Sequence, residues 1–543
     1  MNVLSDEGGK KFTVVGSAGW GEDFGKTDPS RFSTGFTEIY AGEALYPWAV
    51  IGNYYTLEKN GDGTMTLTVN DASIAGKMNA GDSMTCRYAG ANQSSVRVTD
   101  SSNVKFKDCV LYGFSNALAV VASGNVTGMS LERFHNTTQP NPVIDKETYE
   151  FYKALEEQYG VSLGIYTDSA GRYRGELPLQ GSTDATHIMS TSKGVDVTSS
   201  IFEGMTDDGS NQRASSSRLH KIEIEGNVAT IYYKGLMAEV YEGTGTGNCK
   251  KFSRGNRIRV YSARGEILCE TYVTSDAVLV EDMSPITIEG TSISTNVYKV
   301  TVSASSIDSE ILKIINTQYD LSDNSSDLAN RVMVDNLSYN SGGFTFDNVV
   351  IRNTRSRGIL IKTDGVTVKN CTFQNLAHAG LVICTEPEWG ESTAASNVTV
   401  SKCIFDNTGA VCDYIRRTDL VPIWIGTGST SVSANTLPYK NIVIDGCKFQ
   451  NNKSRYAITV HSAQNLTVTN NEFCPIVDES SLRLPTTLYI RKSMNVNISG
   501  NKFTENIDGK SVTNVIKVES SIGITGSDVI GNNGEPLFPD NAN

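Results

Sequence analysis

The stretch Asn397-Val398-Thr399-Val400-Ser401-Lys402-Cys403-Ile404-Phe405 is one copy of a nine-residue pattern that recurs along this chain. Each copy opens on a polar turn residue, alternates apolar residues at its second and fourth positions, and closes on an apolar residue. This alternation predicts a strand with one buried face. The copies occupy residues 103–111, 194–202, 365–373, 397–405, 441–449, 465–473 and 495–503.

The spacing between copies predicts the architecture. Residues 441 and 465 start copies 24 residues apart, about one coil of a solenoid, and the gaps of 30, 32 and 44 residues fit one coil plus a loop or nearly two coils. Repetition at such a period predicts an all-β chain folded as a right-handed parallel β-helix. A β-sandwich whose turn residues repeat by coincidence is the alternative.

Two regions interrupt the repeat. Residues 143–159 place Tyr and Leu at helical spacing behind Asp145, a candidate N-cap, which predicts a short helix in an insertion at about 136–176. Residues 217–304 show hairpin patterns around glycines, which predict a small antiparallel β-barrel inserted into the solenoid. We expect 1–95 to form the first coils and a cap over the end of the core. The remaining β-helix then covers 96–216 and 305–543.

Composition narrows the classes of function. The chain has 543 residues and a net charge of −13, which disfavours a nucleic-acid or anionic-membrane partner and favours a neutral substrate. It has no apolar run of the roughly eighteen residues that a membrane span requires, and its first residues do not read as a signal peptide. Cys371, Cys403 and Cys447 share one repeat position, which predicts a ladder of buried free thiols.

Two short segments carry the candidate chemistry: Thr183-Asp184-Ala185-Thr186-His187 and Thr206-Asp207-Asp208-Gly209. Asp184 and Asp207 are 23 residues apart, about one coil, so we expect Asp184, Asp207 and Asp208 to converge on one wall, with Gly209 allowing the bend. Crowded carboxylates raise the pKa of one member, which can then act as an acid while the others hold a water. Each Asp also has a plain alternative as a turn cap.

These segments suggest a family. TDATH followed by Phe202-Glu203-Gly204-Met205-Thr206-Asp207-Asp208-Gly209-Ser210-Asn211 resembles the β-helical exo-acting α-1,3-galactosidases of glycoside hydrolase family 110. Arg352–Gly358 and the turn Trp389-Gly390-Glu391-Ser392 fit later motifs of that family, which also carries a β-barrel inserted in its solenoid. The resemblance covers roughly 95–305 and 330–475. The chain departs from the family at Gly209–Arg213, where the family has an Asn-x-His segment.

The resemblance implies an inverting exo-glycoside hydrolase that releases terminal α-1,3-linked galactose from glycans. Asp207 would be the general acid, and Asp184 and Asp208 would activate the water. The same one-plus-two arrangement is similar to that of β-helical polygalacturonases, which invert and need no metal, so we expect no metal or cofactor. The residues expected to contact the sugar are His187, Asn211, Arg355, Arg357, Trp389 and Glu391.

Other readings stay open. Arg355 and Arg357, two residues apart, would share one face of a strand and could instead form a surface ladder. Trp389 could be a packing anchor, Glu391 a turn cap and His187 a structural histidine. A non-catalytic carbohydrate-binding β-helix of the adhesin or tail-fibre type is the alternative function. A uronate lyase is disfavoured, because no Lys stands beside the Asp cluster.

The substrate class has consequences for partners and location. The expected partner is an oligosaccharide or glycoconjugate with terminal galactose, which predicts a secreted, periplasmic or cell-surface protein. The oligomeric state stays open, with a homo-oligomer among the alternatives. A calcium site would need six or more oxygen ligands, and the sequence does not supply them.

Overall fold

The structure is a computed structural model with a parallel β-helix as its main body. The residues it describes are 1–16, 18, 32–40, 49–51, 55–88, 93–113, 117–138, 140–175, 183–234, 252–262, 265–282, 286–288, 291–293, 296–307, 309–318, 331–386, 390–391, 394–409, 420–427, 437–452, 454, 456–474, 487–504, 506–507, 510–511 and 516–529. No helix in these ranges is both long and apolar enough to cross a bilayer.

The N-terminal region forms a separate antiparallel sheet. Its strands are β1 (Asn2–Gly8), β2 (Lys11–Val15), β3 (Phe32–Tyr40), β4 (Ala49–Ile51), β5 (Tyr55–Lys59), β6 (Met65–Val69) and β7 (Ser83–Tyr88), with helix α1 (Ala72–Ala75) between the last two. They pair in the order β4-β3-β7-β1-β2-β6-β5. The prediction of solenoid coils in 1–95 is therefore wrong for this part. Gly8 and Gly9 have positive φ (77° and 60°) and reverse the chain into a hairpin.

The solenoid begins after this sheet. Its early elements are β8 (Gln93–Thr99), β9 (Lys105–Tyr112), β10 (Ala117–Ser123), β11 (Ser130–Thr137), helix α2 (Lys146–Tyr159), the hairpin β12 (Ile165–Thr167) and β13 (Tyr173–Gly175), β14 (Thr186–Met189), β15 (Asp196–Thr198), β16 (Ile201–Glu203) and β17 (Ser210–Arg213). The Asp145 carboxylate caps helix α2 by accepting the Thr148 N–H at 2.7 Å. The helix packs on the N-terminal sheet, since Leu155 shares a buried cluster with Leu4 and Val15.

The second interruption is an antiparallel insertion. It contains β18 (Ser217–Glu225), β19 (Val228–Lys234), β20 (Arg257–Ser262), β21 (Ile267–Tyr272), β22 (Val278–Asp282), β23 (Ile286–Ile288), β24 (Thr291–Ile293), β25 (Asn296–Ser303), helix α3 (Ser309–Gln318) and β26 (Val332–Asn336). Seven strands pair in the order β21-β20-β26-β18-β19-β25-β22. The expected end of the insertion at residue 304 needs correction, because strand β26 pairs between β20 and β18. The two sides of the sheet also approach each other: Val273, just after β21, bridges Val302 of β25, and the Thr274 N–H donates to Thr301 O at 2.7 Å.

The solenoid then continues to the end of the described chain. Its strands are β27 (Thr345–Asp347), β28 (Val350–Thr354), β29 (Ile359–Lys362), β30 (Thr367–Lys369), β31 (Thr372–Leu376), β32 (Leu381–Thr385), β33 (Ser396–Ser401), β34 (Ile404–Thr408), β35 (Ile423–Thr427), β36 (Tyr439–Asp445), β37 (Lys448–Gln450), β38 (Ile458–His461), β39 (Ala463–Thr469), β40 (Glu472–Cys474), β41 (Leu488–Arg491), β42 (Met494–Ser499), β43 (Lys502–Phe503), β44 (Asn506–Ile507), β45 (Lys510–Ser511), β46 (Ile516–Glu519) and β47 (Ile522–Thr525).

Parallel pairing between successive coils confirms the all-β parallel β-helix. One face is a ten-stranded sheet in the order β46-β41-β38-β35-β32-β29-β17-β14-β10-β8. Apart from the antiparallel pairs β12–β13 and β44–β45, the other strands form two further parallel rows, one containing β30-β33-β36-β39-β42 and the other β31-β34-β37-β40-β43. A coil therefore contributes one strand to each of three faces, and equivalent repeat positions stack.

Stacked side chains explain why the repeat sequence takes this form. Phe373, Phe405, Phe449 and Phe473 stack with centroids 4.8, 5.0 and 4.9 Å apart, which matches the roughly 4.8 Å spacing of neighbouring strands. The asparagines that open four repeats form a ladder of side-chain amide hydrogen bonds of 2.9–3.2 Å. Their φ values of 54–57° lie in the left-handed region that Asn tolerates. These asparagines are Asn397, Asn441, Asn465 and Asn495.

The cysteine prediction is confirmed. Cys371, Cys403 and Cys447 are each about 1% exposed, and all three are free thiols in one interior ladder.

Candidate active site

Two neighbouring rungs of the ten-stranded sheet bring the acidic residues together. Asp184 lies two residues before β14, and Asp207 and Asp208 lie in the turn between β16 and β17. Strands β14 and β17 are paired neighbours, with Thr186 opposite Ser210. Two backbone bonds align the segments before these strands: the Asp207 N–H donates to Thr183 O at 2.8 Å, and the Ala185 N–H donates to Asp208 O at 3.1 Å. The 23-residue spacing therefore corresponds to adjacent rungs.

Gly209 is required here by close approach of the next rung. A Cβ at this position would lie 2.6 Å from the Gly358 carbonyl oxygen and 2.9 Å from the Ile351 side chain. No L-side chain fits in that space without a shift of the backbone. The tight contact holds the end of the turn that carries Asp207 and Asp208.

Asp184, Asp207 and Asp208 form one cluster, called the carboxylate trio below. One oxygen of each carboxylate lies within 4.8 Å of the others. Asp184 and Asp208 are buried (4% and 3% exposed), whereas Asp207 is half-buried. The trio thus presents one accessible carboxyl group flanked by two that are held in the protein.

Asp184 is held by hydrogen bonds to both of its oxygens. Its Oδ1 accepts the Asp208 N–H at 3.2 Å, and its Oδ2 lies 2.6 Å from His187 Nδ1. His187 Nε2 lies 3.3 Å from Nη2 of Arg213. Because a guanidinium only donates, Nε2 accepts and the imidazole proton sits on Nδ1. His187 therefore donates to Asp184.

Asp208 is held by a guanidinium. Arg357 donates from Nε to Oδ1 and from Nη2 to Oδ2, both at 2.9 Å, and Ser356 Oγ donates to Oδ1 at 3.2 Å. Burial raises the pKa of Asp208 to about 7; Arg357 opposes this shift, and the charges of Asp207 and Asp184 add to it. Asp208 therefore changes its charge near neutral pH, unlike an ordinary surface Asp.

A buried network of charges lies behind the trio. Lys362, fully buried on β29, contacts both Glu386 and Glu391. Glu386 Oε1 accepts from Nη1 of Arg357 at 2.5 Å, and Glu391 Oε1 lies 2.8 Å from Nε of Arg213. Burial would raise the pKa of either glutamate. Neighbouring cations outweigh burial, and both pKa values lie below the usual range.

The structure gives Arg355 and Arg357 different partners. Strand β28 ends at Thr354, so both arginines lie in the turn that follows and do not share a strand face as expected. Arg355 is 4% exposed and donates to the Thr206 carbonyl, which braces the turn carrying Asp207. Arg357 binds Asp208 and Glu386. Both guanidiniums therefore have protein partners at the trio.

The other predicted contact residues are placed as follows. Asn211 is 4% exposed and donates through Nδ2 to Glu391 Oε2 at 3.2 Å, while its buried Oδ1 has no hydrogen-bond partner among the described residues. Glu391 is tied to Lys362 and Arg213 and does not simply cap a turn. Trp389 lies outside the described residues.

Sequence reasoning missed three members of the network: Arg213, Lys362 and Glu386. A signal existed for Lys362, because it ends the apolar strand Ile359–Lys362, and inner strands of parallel sheets are usually apolar throughout. Arg213 alternates with Asn211 on β17, which places both on the outer face of the sheet. Glu386 had no comparable signal.

The trio does not fit a calcium site. Both Asp208 oxygens accept from Arg357, and calcium takes six to eight oxygen ligands. The described residues around the trio bring guanidinium groups to it, and these repel a cation.

The chain was compared with protein families, curated proteins and solved structures. No protein-family model matches the chain, and no curated protein matches it either. Among solved structures, it is similar to the tailspike gp61 of Pseudomonas phage phi297, at 12% identity and a TM-score of 0.20 over 62% of this chain and 58% of that one.

Two further likenesses concern structures with bound saccharides. The catalytic domain of a GH87 α-1,3-glucanase in complex with nigerose is 17% identical, with a TM-score of 0.14 over 36% of this chain and 44% of that one. The Gp54 tailspike of Acinetobacter baumannii bacteriophage AP22, in complex with a capsular saccharide, is 10% identical, with a TM-score of 0.15 over 79% and 71%. The chain spans less than two thirds of the phi297 tailspike and of the glucanase domain. Its β-helix is established by its own strand pairing.

Proposed function

We propose that this chain is an inverting exo-glycoside hydrolase that releases terminal α-1,3-linked galactose from glycans. One observation carries the proposal: three carboxylates from adjacent rungs converge within 4.8 Å, each in a different electrostatic setting. Glycoside hydrolysis needs an acid for the leaving oxygen and a base for water, and different settings let similar groups take different roles. The galactose specificity rests on the motif resemblance alone.

Exposure is the basis for the roles, because the pKa raised to about 7 belongs to Asp208, whereas the acid expected from the sequence is Asp207. Asp207 is half-buried and lies beside two buried carboxylates, so it is the group that a glycosidic oxygen can reach. Its carboxyl proton passes to that oxygen as the bond to the anomeric carbon breaks. Asp184 and Asp208 accept hydrogen bonds from the attacking water and take up its proton as it bonds to the anomeric carbon. Asp184 is oriented by His187, and Asp208 is oriented by Arg357.

The sugar contacts are proposed from groups that do not take part in the buried network of charges. Asn211 lies beside His187, and its buried Oδ1, which no group in the described part of the chain contacts by a hydrogen bond, can accept from a sugar hydroxyl. Trp389 is proposed to stack on the galactose ring. A terminal galactose on an oligosaccharide or glycoconjugate is a substrate found outside the cytoplasm, which places the protein in the periplasm, at the cell surface or in the medium.

The direct test is release of galactose from a panel of α-galactosides that includes linear α-1,3-linked and branched fucosylated oligosaccharides. We expect turnover by the wild type, loss in Asp207→Asn, and retention in the control Asp406→Asn, which changes an Asp on a different face of the solenoid. Full activity of Asp207→Asn would remove the proposed acid. Absence of galactose release by the wild type across the panel would overturn the specificity.

A non-catalytic carbohydrate-binding β-helix is the second candidate. One observation favours it: Arg357 occupies both oxygens of Asp208, which leaves that carboxylate fewer lone pairs for a water. This candidate predicts saccharide binding by calorimetry with no product after long incubation, and equal affinity in the wild type and Asp207→Asn.

A further inference from the structure

We propose that Lys362 is a positioning residue that aligns Asp184 and Asp208 through two separate chains of ion pairs and hydrogen bonds. The inference rests on the proposed function for its catalytic meaning, and its structural content can be measured without turnover. Lys362 touches none of the trio itself; it acts through the two glutamates it binds.

The position of Lys362 calls for an explanation. Its side chain is fully buried on β29, where it lies on the rung next to Arg213. A buried ammonium is costly unless it is paired. Burial lowers the pKa of Lys362, but Glu386 and Glu391 outweigh burial and raise it. The lysine is therefore charged at any working pH, and both glutamates face a permanent cation.

The first chain runs to Asp208. Lys362 contacts Glu386 Oε2, and the other oxygen of that glutamate accepts from Arg357 at 2.5 Å. Arg357 then reaches both oxygens of Asp208. Because the guanidinium is planar, fixing Nη1 on Glu386 also fixes the direction of the two bonds to Asp208.

The second chain runs to Asp184. Lys362 contacts Glu391 Oε2, and Glu391 Oε1 lies 2.8 Å from Nε of Arg213. Arg213 in turn reaches His187 Nε2 at 3.3 Å, and this contact sets the tautomer that donates to Asp184. The position of the proton on His187 Nδ1 is thus determined three contacts away from Lys362.

The two chains share one backbone bridge. Glu386 and Glu391 are joined by a pair of backbone hydrogen bonds of 3.2 and 3.1 Å, so their side chains leave the same bridge. Without the ammonium, two buried carboxylates would face each other and repel. Either one takes a proton or the bridge opens, and in both cases the arginines lose a fixed partner.

The experiment follows the His187 tautomer by NMR of protein with ¹⁵N-labelled histidine. The chain has five histidines, so single substitutions assign the signals. We expect the wild type and Lys362→Arg to show the Nδ1–H form, and Lys362→Met to show averaging of the two tautomers. Lys234→Met, which removes a buried lysine of the inserted sheet, is the matched control and should leave the His187 signals unchanged.

Variants of the glutamates separate the two chains. Glu391→Gln should disturb the His187 signals, whereas Glu386→Gln should leave them unchanged and alter the titration of Asp208, read from ¹³C carboxyl signals. The groups that face Asp208 are Arg357, Asp207 and Asp184. These two variants keep the proposal testable if Lys362→Met fails to fold.

Steady-state kinetics provide a second test of the role of Lys362. In Lys362→Met we expect kcat to fall about 100-fold, as for a small misplacement of catalytic groups, with KM within about 2-fold of the wild type and partial recovery in Lys362→Arg. An unchanged His187 tautomer together with kcat equal to the Lys234→Met control would overturn the inference. A wild type that releases no sugar would refute the hydrolase, while an altered tautomer in Lys362→Met would still support the positioning role.

Discussion

Arg357 joins Asp208 to Glu386: its guanidinium donates to both oxygens of the aspartate at 2.9 Å and to the glutamate at 2.5 Å. A residue expected to hold the sugar is thus bound to two buried carboxylates. This favours the ionised form of Asp208, while burial favours the protonated form. The balance gives Asp208 a pKa of about 7, and several predictions depend on that balance.

The rate should rise with pH through about 7, because Asp208 must lose its proton before it can accept one from water. The measurement is kcat/KM against pH at constant ionic strength, since this ratio reports groups of the free enzyme. In Asp208→Asn the limb near 7 should disappear along with most of the activity. A limb centred near 4 in the wild type would contradict the assignment.

Loss of the Arg357 charge should shift the rise of kcat/KM near pH 7, the acidic limb of the profile, to higher pH. Arg357→Met removes the group that lowers the pKa of Asp208, so the acidic limb shifts to higher pH. Arg357→Lys keeps a charge but not the two parallel bonds, and should give an intermediate shift. The control is Arg352→Met, which removes the guanidinium bound to Glu203. If all these variants had the same pH profile of kcat/KM, Arg357 would have no influence on the titration of Asp208.

Stability should fall as pH rises from about 4 to about 7. The folded pKa of Asp208 is about 7, above the unfolded value of about 3.9. Within this window the folded state keeps a proton that the unfolded state has lost, so each step up in pH favours unfolding, and the effect ends above pH 7. Urea denaturation at several pH values gives the free energy of unfolding of the wild type and of Asp208→Asn. This free energy should fall less between pH 4 and pH 7 in the variant than in the wild type.

The anomeric configuration of the first product tests the mechanism. Simple inverting enzymes separate acid and base by roughly 6.5–9.5 Å and retaining ones by roughly 5–5.5 Å, whereas oxygens of this trio lie within 4.8 Å. We expect inversion, with β-galactose appearing first by ¹H NMR, because Asp184 and Asp208 together hold the water. Initial α-galactose would show retention and make one aspartate a nucleophile.

The asparagine ladder should contribute to stability through both its backbone and its side chains. Asn441 has a φ of 55° and bonds to the asparagines of both neighbouring rungs. Asn441→Ala should cost about 1–3 kcal/mol through left-handed backbone strain and lost bonds. Asn441→Gly relieves the strain and should cost less. Thermal unfolding of both variants checks the order, and an equal loss would show that strain plays no part.

The local repeat in the sequence determined the β-helix. Alternation in Asn397–Phe405 and its copies fixes which side chains point inward, and stacking of identical positions needs no distant contact to be foreseen. The 23-residue spacing likewise placed Asp184 beside Asp207 and Asp208, since one coil separates neighbouring rungs.

Tertiary structure alone decided what surrounds these aspartates. Glu386 is 178 residues from Asp208, and only the stacked turns bring Arg357 between them. The antiparallel N-terminal sheet and the late strand β26 were also not predicted. Alternation of apolar and polar residues predicts a strand but does not show which strand it pairs with. The acidity of Asp208 depends on burial and on charges gathered from separate coils, and neither is a property of the local sequence.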